Sequence, residues 1–170
     1  MKWMRFFIYL RKYTWSPFFA KIEKATQPAL FDEGIKALKE MKEKCTSVTD
    51  YLNFLVYRRF RYSNDPFKGA LDYVSYPEIT AAKKFGDCDD FAELALEVLK
   101  DHFEVAYRLY TFSGIFKGHV MVLLHNGHCW QLISNKTRLL WTNDGENIFE
   151  RAAKAYCGED LKYYFLEKIK

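Results

Sequence analysis

Two side chains in this sequence have the chemistry for covalent catalysis: Cys88, in Gly86-Asp87-Cys88-Asp89-Asp90-Phe91-Ala92, and His119, in Gly118-His119-Val120-Met121-Val122. A thiolate attacks a carbonyl carbon, and a nearby imidazole takes the thiol proton and later hands it to the leaving group. Gly86 allows a backbone bend, and Asp87 is a good N-cap for a helix that starts at Cys88. Phe91, Leu94, Ala95, Val98 and Leu99 recur at three and four residues, so one face of that helix is apolar. In the first helical turn the backbone dipole favours the thiolate, while the charges of Asp87, Asp89 and Asp90 oppose it. A free cysteine is also an ordinary small core residue. It is the histidine thirty-one positions later that gives the stretch weight.

His119 must be positioned by a hairpin. Asn126-Gly127 lies between two apolar runs, which predicts a two-residue type I′ turn with His119 directly opposite Ser134. Alternation then gives His119, Met121, Leu123, Trp130, Leu132 and Ser134 one face, and Val120, Val122, Leu124, Cys129, Gln131 and Ile133 the other. If the cysteine helix packs on the His119 face, sulfur and imidazole can meet. A third group usually holds a catalytic imidazole. Ser134 is placed across from it, Asn135 is the better orienter chemically, and Asp144 is a more distant candidate. His102, His125 and His128 read as turn or solvent residues.

The 170 residues suit one domain with a substantial core, and 49% are hydrophobic. No apolar run approaches a membrane span. The basic start, Met1 to Lys12, has too short an apolar stretch for a signal peptide. Cys45, Cys88, Cys129 and Cys157 lie far apart with no C-x-x-C pair, which speaks against a zinc site or a disulfide framework. A cytoplasmic, reducing location is expected. Net charge is +4, but residues 1–24 hold six cations and one acid, leaving the body at −1. A body without basic excess is not that of a nucleic-acid-binding domain. Residues 1–24 read as a basic aromatic arm packed on its own domain, in preference to a membrane-surface helix, with Ser16-Pro17 breaking any helix there.

Residues 25–170 form the main domain. Helices are predicted over Asp32 to Lys44, from a capping box at Ser47-Asp50 to about Phe60, from Pro77 to Lys84, and from Cys88. The period then changes from 3.6 to 2, with strands over 106–112, 116–124, 129–134 and 138–141. A helix over 147–156 and a strand over 161–169 follow. Helices followed by an antiparallel sheet make an α+β fold.

The combined pattern resembles the transglutaminase-like cysteine peptidase superfamily, and most of all its bacterial branch of adhesin-cleaving proteinases. The matching residues run from Arg61-Tyr62-Ser63-Asn64-Asp65 through Asp72 to Glu78, Gly86 to Ala92, Gly118 to Val122 and Trp130 to Asn135. The resemblance implies a papain-like α+β fold, Cys88 as nucleophile, His119 as base, and no obligatory cofactor. It also implies calcium-binding carboxylates beside the cysteine, which here are Asp87 and Asp89. The chain departs from the family where Ser134 and then Asn135 stand in place of the triad acid, and where Val74 replaces a tryptophan. The expected activity is hydrolysis of a peptide or isopeptide amide through an acyl-enzyme, with a protein or peptide as substrate. The alternatives are a non-catalytic binding module that keeps the fold, and a cross-linking acyl transferase.

Overall fold

The computed structural model describes residues 16–63, 74–113, 118–141 and 147–170. Helices α1 (Ser16–Thr26), α2 (Pro28–Lys44) and α3 (Val48–Tyr57) come first. Ser16-Pro17 opens α1 where a break was expected, because proline in a first helical turn lacks only a hydrogen that would go unpaired there. The Ser16 hydroxyl accepts from the Val74 amide at 2.8 Å, and buried Glu23 pairs with Lys83. The arm boundary drawn at residue 24 therefore falls inside α1, while residues 1–15 lie outside the described residues. α2 starts at Pro28, earlier than Asp32, again with proline in its first turn. The Ser47–Asp50 capping box opens α3 as the sequence predicts.

β1 (Arg61–Tyr62) then pairs in parallel with β2 (Phe85–Gly86), and α4 (Pro77–Lys83) lies between them in sequence. Gly34 permits α2 and α4 to approach closely: a Cβ there would sit 1.9 Å from the Glu78 carbonyl oxygen. Helix α5 (Cys88–Leu99) follows β2, and strands β3 (Val105–Phe112), β4 (Gly118–His125), β5 (Trp130–Ser134) and β6 (Thr137–Trp141) follow α5. After α6 (Ile148–Cys157) the chain adds β7 (Tyr163–Lys168), completing an antiparallel sheet of order β6-β5-β4-β3-β7. The fold is α+β, with helices before an antiparallel sheet.

Both sheet faces are covered, which explains why β4 is buried along nearly its whole length. On one face Val120, Val122, Leu124 and Ile133 pack with Phe91, Leu94, Ala95 and Val98 of α5. On the other, Leu109, Met121, Leu123 and Leu132 pack with Ile148, Ala152 and Ala153 of α6. Complete burial of such a side chain stabilises by about 2 kcal/mol. A buried cation adds orientation: Arg108 on β3 pairs with Glu93 of α5 and Glu167 of β7. That cluster fixes the rotation of α5 on the sheet.

The β4–β5 turn differs from expectation. His125 pairs with Trp130 and Val122 with Ile133, so four residues make the turn instead of two. The cause is the Asn126 side chain, whose Oδ1 accepts from the His128 and Cys129 amides at 3.2 and 3.0 Å. This local bond competes with a type I′ turn. Continuing that register sets Ser134 opposite Met121, two residues from the expected partner. A slip of two preserves alternation, so the face assignments hold. All four cysteines are free, and among the described residues no helix is long and apolar enough to cross a membrane.

Candidate active site

Cys88 is the first residue of α5, and the turn before it is tightly built. Asp87 Oδ1 accepts from the amides of Asp89 and Asp90 at 3.0 and 3.3 Å, and the Asp90 carboxylate accepts from the Asp87 amide. This reciprocal capping box was only half visible in sequence, where Asp87 alone was assigned the cap. The other Asp90 oxygen accepts from the Ser75 amide at 2.8 Å. Asp90 is 5% exposed, and burial pushes its pKa up to about 6. Asp89 is buried too, so the acids beside Cys88 are no solvated helix edge. Cys88 itself is half-buried, and its thiol donates to Asp89 Oδ1 at 3.7 Å.

The helix does not lie on the face to which alternation assigns His119. α5 packs on the Val120–Val122–Leu124 face, whereas His119 belongs with Met121 and Leu123 on the α6 side. His119 is the second residue of β4 and so stands near the end of the sheet. There the surroundings of the two groups converge. The Tyr156 ring of α6 stacks on the imidazole, centroids 3.8 Å apart and planes 18° from parallel. Cys88 lies close enough to that same Tyr156 hydroxyl to help burial raise its pKa. Asp89, the hydrogen-bond partner of Cys88, acts electrostatically on His119. Cys88 and His119 thus share two electrostatic neighbours, Asp89 and Tyr156, and do not share a sheet face.

His119 Nε2 and Ser134 Oγ are 2.9 Å apart. The partner of the imidazole is therefore Ser134, reached diagonally across the β4–β5 pair. Asn135, the chemically better orienter, occupies the β5–β6 turn with φ of 52°, and its Oδ1 is buried without a partner. Asp144 lies outside the described residues. His119 is only 4% exposed, and burial depresses its pKa to about 4 against a weaker upward pull from Asp89. The resting imidazole is neutral at pH 7.

The calcium role implied for Asp87 and Asp89 finds little support in the donor set. One oxygen of Asp87 is committed to two helix amides, and among the described residues no group of three His, Cys, Asp or Glu is placed to hold a metal. No step below passes through a calcium ion.

Two aromatics near Cys88 were not visible from sequence. Tyr62 stands opposite Gly86 in the β1–β2 ribbon, and Tyr156 covers His119. Two-residue strands carry no periodic signal, and the α6 contact depends on tertiary packing.

No family model matches the chain, and no curated protein does. Among solved structures it is similar to Legionella pneumophila LapG, with 21% identity over 79% of this chain and 75% of that chain and a TM-score of 0.47. So remote a likeness carries no conclusion about chemistry.

Proposed function

We propose that the protein is a cysteine-dependent hydrolase of a peptide or isopeptide amide bond. The observation that carries this reading is the convergence of Cys88, at a helix start, and Ser134-bonded His119 on the same two neighbours, Asp89 and Tyr156. With Nε2–H donating to Ser134 Oγ, the imidazole lone pair is on Nδ1, the atom to which this reading assigns the thiol proton. Neutral His119 takes the Cys88 proton as the sulfur attacks the carbonyl carbon. The Cys88 amide, at the positive end of α5, supplies one donor for the oxyanion. Imidazolium then protonates the departing amine, leaving a thioester. Water, deprotonated by His119, hydrolyses the thioester and restores the thiol. Hydrolysis is preferred to acyl transfer because nothing in the sequence marks a second amine site.

One observation favours the second reading, a non-catalytic module that keeps the fold. His119 is 4% exposed beneath Tyr156, so a substrate amine reaches it only if that ring moves. Incubating the protein with a peptide mixture and reading cleavage by mass spectrometry separates the two. Hydrolysis that disappears in Cys88→Ala supports the hydrolase. Identical products from both proteins, or none, support the binding module.

A further inference from the structure

We propose that α1, together with the basic aromatic stretch before it, docks the chain on the surface of a bilayer rich in anionic lipid. The proposal does not depend on the hydrolase reading.

The two sides of α1 differ in kind. Ser16, Ala20 and Glu23 recur at four and three residues and are buried against the domain. The Ser16–Val74 bond at 2.8 Å and the Glu23–Lys83 pair fasten that side. Phe18, Ile22 and Ala25 recur at the same spacing on the opposite side, and all three are exposed. Phe18 is 60% exposed and Ile22 43%. An apolar stripe facing solvent, on a helix already packed by its other side, calls for a further partner. Packing on the domain and contact with a membrane surface, alternatives in the sequence, thus use opposite sides of one helix.

Charge says what that partner is. Glu23 is the only acid among residues 1–26, and it is turned inward and paired with Lys83. Lys21, beside the stripe, is exposed. Residues 1–15 add four cations, no acid and six aromatic side chains, two of them tryptophan. Rings and aliphatic groups interspersed with cations suit the boundary between headgroups and acyl chains. There the apolar groups enter the interface, while lysine and arginine meet lipid phosphates. The docking helix is also joined to the candidate active site. The Val74 amide donates to Ser16, and the next amide, that of Ser75, donates to Asp90 in the first turn of α5.

The test is co-sedimentation of the full chain with vesicles of phosphatidylcholine, alone or with about 30% phosphatidylglycerol, at about 0.1 M salt. Binding to the anionic vesicles is expected to be about tenfold tighter than to the neutral ones. The double variant Phe18→Ser/Ile22→Ser keeps every charge and should weaken it about tenfold. Lys21→Gln should weaken it about fivefold. All three positions are exposed, so the variants keep the fold, which thermal melting checks. Binding to neither vesicle, equal binding to both, or binding that survives the double variant overturns the proposal. Survival would mean diffuse attraction to any polyanion, such as a nucleic acid.

Discussion

Replacing Ser134 with aspartate puts a carboxylate beside the His119 imidazole, and the structure sets the size of the effect. Ser134 Oγ is 2.9 Å from His119 Nε2, so an aspartate oxygen lands about 3–4 Å from the ring. A charge pair at that distance is worth about 4 kcal/mol at an effective dielectric constant near 20. Roughly half of this is lost to desolvating the new carboxylate, leaving about 2 kcal/mol, or about 1.5 pKa units. His119 would then titrate near 5.5, against about 4 in the unaltered protein. Nuclear magnetic resonance of the imidazole C2 proton across pH 3.5–8 measures the shift. Asn135→Asp is the control, because Asn135 makes no hydrogen bond to the ring, and a smaller shift is expected from it. No upward shift in Ser134→Asp, or a larger one in Asn135→Asp, would refute the assignment of Ser134 as the orienting group.

Other consequences are equally direct. In Gly86→Ala the new methyl lies 2.6 Å from Asp90 Cβ, so Asp90 must move and weaken its bonds to the Ser75 and Asp87 amides. Denaturant unfolding should show a loss of about 1–3 kcal/mol, and a loss under about 0.5 kcal/mol would show that the turn adapts. Arg108→Met removes the buried cation that pairs with both Glu93 and Glu167, with an expected cost of about 3 kcal/mol in the same assay. Stability against pH carries two opposed contributions. His119, depressed from 6.5 to about 4, contributes stability above pH 6.5 that is lost as pH falls toward 4. Asp90, raised from 3.8 to about 6, contributes stability below pH 3.8 that is lost as pH rises through 6. Each is worth about 3 kcal/mol over its window, so they nearly cancel between pH 4 and 6. His119→Gln removes the first alone and should gain about 2–3 kcal/mol at pH 4.5 relative to pH 7, compared with the unaltered protein. Parallel pH curves for the two proteins would contradict the His119 assignment.

What was legible in the sequence follows the range of the forces involved. Local signals carried well: the Ser47–Asp50 box, Pro77 at a helix start, and the change of period after α5. The face assignments of β4 and β5 also held, since they depend only on parity. The β4–β5 register did not, because one side-chain acceptor, Asn126 Oδ1, converted the expected tight turn into a longer one. Ser16-Pro17 was misread because proline marks a helix start as readily as a break. The side of the sheet on which α5 packs is a tertiary choice. Apolar residues on both faces of β4 left it open, and the choice placed His119 under Tyr156. The two-residue β1–β2 ribbon and the capture of Arg108 by Glu93 and Glu167 also join residues far apart in sequence.

The central claim is that the Cys88 sulfur and the His119 imidazole work as a pair around the end of β4. Iodoacetamide labelling of Cys88, followed by mass spectrometry from pH 5 to 10, tests it most directly. The pair predicts that Cys88 alkylates faster than Cys45, Cys129 and Cys157 near neutral pH, and that His119→Ala removes the advantage at least tenfold, a coupling of about 1.4 kcal/mol. A Cys88 rate profile unchanged by His119→Ala would contradict it.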